Sequence, residues 1–251
     1  MVRVHKQGYV LWSLDEFPLF HLDVIEALRQ PLESGDITVA RQEESVTLPA
    51  RTLLVLAANP CPCGEYSAEP GANHCNCLER VRRDYRRRLS GPIADRIDIT
   101  RHVAPARGSE RDQFRPAESS DVVRDRVAAA RERQRTRFAG RSWRLNAQIP
   151  SQLLKREWAV SPDAQRLVDL ETYHGRLSAR GAVRVMRLAW TVADLRSIRT
   201  GRDLRPGHAE VVAALQLRNG DPLDLRTIDA ELDQQLIDEQ SSDGVVTERA
   251  G

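Results

Sequence analysis

Residues 9–20, YVLWSLDEFPLF, run from an apolar stretch into two acids, Asp15 and Glu16. The apolar residues predict a short strand, and a strand ending in Asp-Glu sets two carboxylates at the lip of a sheet. In nucleotide hydrolases such a pair holds Mg²⁺ and orients the attacking water, once a glycine-rich loop has cradled the phosphates. That loop, G-x-x-x-x-G-K-[ST], needs a lysine behind a glycine. The chain has two lysines, Lys6 behind His5 and Lys155 behind Leu154. Neither completes the pattern, so the acidic pair stands in this sequence without its phosphate loop.

Beyond the acids, Leu22, Ile25, Leu28 and Leu32 recur at helical spacing and Ser34-Gly35 supplies a stop, which predicts one amphipathic helix over 22–33. DITVARQEESVTLP (36–49) alternates apolar and polar residues on both sides of a polar stretch, as a protruding hairpin does. RTLLVLAANP (51–60) is continuously apolar from Leu53 to Ala58, the pattern of a strand buried on both faces, and it ends at Asn59. A cysteine-rich loop (60–78) leads into a basic helix, a Ser-Gly-Pro break and a short apolar stretch. Residues 105–120, with Pro105, Gly108 and Pro116, read as a linker. Helices are then predicted at 119–138, 151–158, 162–173, 178–199 and 207–218, the first capped by Ser and Asp.

At 251 residues and 41% hydrophobic residues the chain is long and apolar enough to bury a core. No run approaches the roughly 18 apolar residues of a membrane span, and the N-terminus lacks the apolar core of a secretion signal, so a cytoplasmic location with no membrane partner is expected. The net charge of +2 hides an asymmetry: residues 221–251 carry nine acids and two arginines, an acidic tail with weak apolar patterning. The basic remainder is the part suited to nucleic acid. RVRRDYRRRL (80–89) packs six arginines around one tyrosine, so Arg82, Arg83 and Arg86 are candidate DNA contacts, although a solvated helix face has the same composition.

The four cysteines form two C-x-C pairs, Cys61/Cys63 and Cys75/Cys77, separated by eleven residues. Four thiolates can close a tetrahedral structural Zn²⁺ site, and such a site leaves no open position for substrate. His74 is an alternative fourth ligand. Free thiols, two disulfides and the remnant of a lost site are the competing readings, disulfides being disfavoured in a reducing cytosol.

Taken together, DEFPLF, VIEALRQPLESGDITVAR, ANPCPCG, CNC, RRRLSGPIADRID, LNAQIP, LSARGAVRVMRLAWTVADL and AALQLR resemble, in order from about residue 8 to 218, the C-terminal half of the magnesium-chelatase-like AAA+ ATPases of the YifB/ComM family. The resemblance implies an α/β fold: a partial AAA+ core at 1–104 with an incomplete parallel sheet, followed by an all-helical lid at 121–220 and a tail at 221–251. It makes Asp15 and Glu16 the Walker B pair, with Asp15 beside Mg²⁺ and Glu16 the base. It also makes Asn59 sensor 1, Arg96 an arginine finger acting on a neighbouring subunit's ATP, and Arg180 the sensor 2 arginine. The hairpin resembles one that points into the pore of ring motors, with Arg41 as a strand contact. The implied partners are DNA and either a homo-oligomeric ring or a separate N-terminal half, and the implied work is ATP-driven DNA processing of the branch-migration type, associated with natural transformation. A chelatase-type metal-insertion motor and a catalytically silent protein that binds DNA or partner subunits are the alternatives.

Overall fold

A three-residue strand, β1 (Val2–Val4), runs antiparallel to β2 (Val10–Leu14), and β2 runs parallel to β5 (Thr52–Leu56), so the sheet order is β1-β2-β5. These strands belong to a computed structural model that describes residues 2–4, 10–41, 44–68, 71–91, 93–103, 118–201 and 203–223, with backbone alone at 2–4, 10, 41 and 44. The predicted linker and acidic tail lie almost wholly outside the described residues. The chain divides into two units, Met1–Ile97 and Asp98–Gly251.

In the first unit the register aligns Trp12 with Leu54 and Leu14 with Leu56. This face of the sheet packs on a core of Phe17, Ile25, Leu28 and Ile93. The opposite face differs from the prediction. Leu53 and Val55 are 63% and 47% exposed, so β5 is half-buried on one face and open on the other among the described residues. Its continuous apolar run therefore serves two environments, one of them solvent.

The single helix predicted at 22–33 is two short ones, α1 (Leu22–Ala27) and α2 (Arg29–Ser34), joined at Leu28. Pro31 has no N–H to give the Ala27 carbonyl, so the helical ladder breaks there and restarts with Pro31 in the first turn of α2. The hairpin is as predicted: β3 (Asp36–Arg41) pairs antiparallel with β4 (Glu44–Pro49) as a separate two-stranded sheet. Thr38 and Thr47 share a hydrogen bond across it at 3.2 Å. Gln30 of α2 reaches the same Thr38 hydroxyl, at 3.2 Å. After the cysteine loop comes α3 (Glu79–Arg87), then a 3₁₀ turn at Ala94–Arg96.

The second unit is all-helical among its described residues: α4 (Ser120–Arg137), α5 (Pro162–Tyr173), α6 (Ala179–Thr200) and α7 (His208–Asn219). The helix predicted at 151–158 is only a 3₁₀ turn, Leu153–Lys155, which buries Leu154 and stops. Serines at 119, 161 and 178 accept from the first-turn amides of α4, α5 and α6 and so satisfy donors the helices cannot. The core joins Phe138, Ile149, Val168, Val185, Met186 and Trp190 with their neighbours. Trp158 stands edge-on between Phe138 and Trp190, with ring centroids 5.2 and 5.5 Å away. The buried Glu210 accepts from Arg196 at 2.6 Å and from the Gly207 amide at 2.8 Å. The chain from Asp98 folds with these helices, since the Thr100 amide donates to the Leu217 carbonyl at 2.8 Å.

Candidate nucleotide corner and metal centre

Because β2 and β5 are parallel neighbours, the residues that follow them, Asp15-Glu16 and Ala57-Ala58-Asn59, leave the sheet side by side at its C-terminal edge. In α/β sheets this edge is where ligands bind. Two backbone bonds fasten the two exits: Ala57 N–H donates to the Leu14 carbonyl at 2.9 Å and Phe17 N–H to the Ala57 carbonyl at 3.0 Å. Phe17 itself is fully buried, anchoring a 3₁₀ turn at Phe17–Leu19.

Glu16 sits between these anchors in the left-handed region, φ 50° and ψ 37°, the one non-glycine residue with positive φ among those described. Its N–H donates to the Asp15 side chain at 2.9 Å and its carbonyl accepts from Leu19 at 2.8 Å. A left-handed conformation costs a non-glycine residue about 1–2 kcal/mol, and such residues collect at functional sites. Glycine would lose that strain and pay about 0.5–1 kcal/mol in chain entropy. Glu16→Gly is therefore expected to leave the first unit as stable as before or up to about 1.5 kcal/mol more so, measured by urea unfolding, while removing the carboxylate.

Beside Asp15 and Glu16, Asn59 is likewise exposed. Beneath them lies Tyr85 of α3, 6% exposed. Burial pushes its phenol up from the ordinary range, the Asn59 backbone exerts a smaller pull the other way, and the charges of Cys61 and Glu16 add to the upward push. Arg88, directly after α3, donates to the Pro18 carbonyl at 2.8 Å and the Phe20 carbonyl at 3.4 Å. Neither residue stands out from an arginine-rich sequence. The one signal is Tyr85 and Leu89 at helical spacing.

Two residues past Asn59 the chain enters the cysteine loop. All four sulfur atoms lie within 4.8 Å of one another, with Cys61–Cys63 at 3.2 Å and Cys75 at 3.5 Å from both. Zn–S bonds of about 2.3 Å would set tetrahedral sulfurs about 3.8 Å apart, so the cage has the right size. Backbone amides face the sulfurs: Cys77 N–H donates to Cys75 Sγ at 3.4 Å. Amide bonding, first of all from Glu65, lowers the Cys63 thiol to about 6. Burial pushes Cys75 up to about 12. A cage that favours a thiolate at Cys63 and resists one at Cys75 and Cys77 is the state expected of a site built around a cation that supplies the missing charge. His74 is exposed and outside the cluster, so it is not needed as a ligand.

The remaining predicted residues fall in several places. Arg82 pairs with Glu79 and lies over the Tyr66 ring at 4.8 Å, with Arg86 over the same ring at 4.9 Å. Two of the three candidate DNA arginines on α3 are thus engaged beside the cysteine loop, and Arg83 is exposed. Arg96 pairs with Glu33 of α2, its side chain 10% exposed. Arg180 is exposed in the first turn of α6. In the same motif, a Cβ at Gly181 would stand 2.8 Å from Leu177 Cδ1, so a larger residue there would oblige that side chain to shift. The side chain of Arg41 lies outside the described residues.

A small sheet with an acidic C-terminal edge, followed by a helical unit, is a partial AAA+ core with its helical companion. Residues 2–111 match the family model for magnesium chelatase, subunit ChlI, and residues 117–218 match its C-terminal model. A Mycobacterium tuberculosis protein of uncharacterised function is 41% identical over 207 residues, 82% of this chain and 39% of its own length. YifB of Escherichia coli is 37% identical and competence protein ComM of Haemophilus influenzae 36%, each over 72% of this chain, and over 35% and 34% of their own lengths. The chain belongs to the magnesium-chelatase-like YifB/ComM family, and spans between a third and two fifths of the length of these relatives. No described helix is long and apolar enough to cross a membrane.

Proposed function

We propose that this chain supplies the acid-and-sensor half of an ATP site in a DNA-processing AAA+ motor of the YifB/ComM kind. The observation that carries the reading is Glu16, held in a strained left-handed turn at the C-terminal edge of two parallel strands with Asn59 at the same edge. Mg²⁺ bound with ATP supplies charge neutralisation at the phosphates. Around it Asp15 is the magnesium-side acid, Glu16 the base that orients water and Asn59 the amide that holds that water or the terminal phosphate. Arg180 is the lid's contact to the same nucleotide. Arg96 is the finger toward a neighbouring subunit of a ring, and this role requires it to leave Glu33.

The phosphate-cradling pattern does not occur in the 251 residues. Without those amides and their lysine the acids have no bound nucleotide to act on. The chain by itself is therefore expected to show ATP turnover indistinguishable from buffer in a phosphate-release assay. Robust turnover that disappears in Glu16→Gln would overturn this.

Two further parts complete the reading. The four cysteines hold structural Zn²⁺, which the size of the cage and the amides facing its sulfurs support. Zn²⁺ with four thiolates leaves a net negative charge, and Arg82, electrostatically coupled to Cys75, offsets it. Metal analysis of chain purified without chelator is expected to find one zinc per molecule, lost in Cys75→Ser; a content near zero in both would remove the metal. DNA is the partner proposed for the basic face of α3 and for the hairpin. The α3 contact then falls chiefly to Arg83, because Arg82 and Arg86 already stack on Tyr66.

A further inference from the structure

We propose that the helical unit carries a seat for single-stranded nucleic acid, a cleft that takes one unpaired base on Trp158 and its flanking phosphates on Arg156 and Arg205. The inference deepens the DNA reading above by adding a contact that neither α3 nor the hairpin contains.

The cleft lies between the segment that follows the 3₁₀ turn at Leu153–Lys155 and the segment that follows α6, and its volume of about 430 Å³ is within the range of small-molecule sites. The chain itself stitches the two segments together. Arg205 Nε donates to the Ala159 carbonyl at 2.8 Å and Arg205 Nη2 to the Val160 carbonyl at 3.1 Å, while the Ser161 amide donates to the Pro206 carbonyl at 2.9 Å. Each segment is also tied to α6: the Trp190 indole N–H donates to the Trp158 carbonyl at 2.9 Å, and the Leu204 amide to the Ser197 hydroxyl at 3.2 Å. The cleft is therefore pre-formed.

Its floor is aromatic. Trp190, 7% exposed, lies under the Arg137 guanidinium, so the indole surface left to a ligand is that of half-buried Trp158, with Leu204 also lining the cleft. The charges around this floor do not cancel. Glu157 is answered by Arg141, Asp203 by Arg133 at 2.6 Å, and Arg137 by Asp194. Arg156 and Arg205 line the same cleft and have no carboxylate partner among the described residues. The carbonyls that Arg205 holds fix its guanidinium without neutralising it. An open indole beside two unanswered guanidiniums fits a ligand that is flat at one point and anionic on either side, which describes a nucleotide within a single strand. An acidic peptide would meet the arginines and leave the indole unused. A duplex keeps its bases stacked inside and offers phosphates alone.

The test is a titration of the isotope-labelled 251-residue chain with a short single-stranded oligothymidylate, followed at the indole N–H resonances of Trp158 and Trp190. Both should move in the wild type. Arg156 is exposed, so Arg156→Ala should leave the fold intact. It should weaken the strand about fivefold to tenfold at about 50 mM salt, and make the dependence of log affinity on log salt shallower by about 0.7, the value of one phosphate contact on a single strand. Arg166→Ala, at an exposed arginine of α5 that does not line the cleft, is the control and should do neither. Indole resonances that stay in place while amides of α3 respond would overturn the cleft and leave the α3 contact standing; a chain that responds nowhere would overturn this cleft and the DNA reading together. Equal movement with duplex or with oligoglutamate would overturn the base-and-phosphate assignment, and equal losses in Arg156→Ala and Arg166→Ala would overturn the role of Arg156.

Discussion

Replacing Asp194 by alanine is expected to cost the helical unit about 3–5 kcal/mol, the loss seen when one partner of a buried ion pair is removed. Asp194 has no exposed side-chain surface and pairs with Arg137, itself 9% exposed. Its second oxygen accepts from Asn146 Nδ2 at 2.7 Å, and that amide also reaches Thr191 at 3.2 Å. Asn146 in turn accepts from Arg137 at 3.3 Å. The network joins α4, the 3₁₀ turn at Asn146–Gln148 and α6, three pieces that otherwise meet through apolar contacts. Alanine at 194 leaves a guanidinium stacked 4.7 Å above Trp190 with exposed Asp203, 3.6 Å away, as its one carboxylate partner among the described residues. A domain of this size shifts its midpoint by about 2–4 °C per kcal/mol, so the tryptophan-monitored melt should fall by about 6–20 °C. The exposed pair Arg176–Glu171 is the contrast. Arg176→Ala should cost no more than about 1 kcal/mol. Equal effects from the two variants would show that the buried network does not hold the unit together.

The helical unit was legible because its signals are local: serine caps, helical spacing and glycine stops are each written within a few residues of where they act. Leu53 and Val55 show the limit of that logic. A continuous apolar run records which side chains avoid water in the assembled protein, and cannot say which neighbour covers each face, so the exposure of one side of β5 had no signal in the run itself. The split of the 22–33 helix was present in Pro31 but lost to the stronger apolar spacing around it. At the candidate site the acids, Asn59 and the cysteines were visible as motifs. The brace on the turn after Glu16 was not, because Arg88 sits in a stretch of arginines whose composition reads as solvent-facing. Its role comes from carbonyls 68 and 70 positions away in sequence. Composition likewise makes Arg82 and Arg86 candidate DNA contacts, while both are stacked on Tyr66, a partner 16 and 20 residues upstream.

The largest expected effect belongs to Glu16. A carboxylate that orients water contributes about 10²–10⁴-fold to hydrolysis, and an amide of the same shape removes its basicity without disturbing the turn. Glu16 is exposed and makes its turn with backbone atoms, so Glu16→Gln should leave folding unchanged. The effect can be read only where a phosphate-cradling segment is supplied. Joined in one polypeptide to the part of the E. coli relative that precedes the matched region, this chain is expected to hydrolyse ATP. The decisive measurement is steady-state phosphate release by that joined protein with and without Glu16→Gln. Turnover that appears on joining and falls about 100-fold or more in Glu16→Gln, with nucleotide still bound, is the predicted result; turnover by the joined protein that is indifferent to Glu16→Gln would contradict the assignment of this corner.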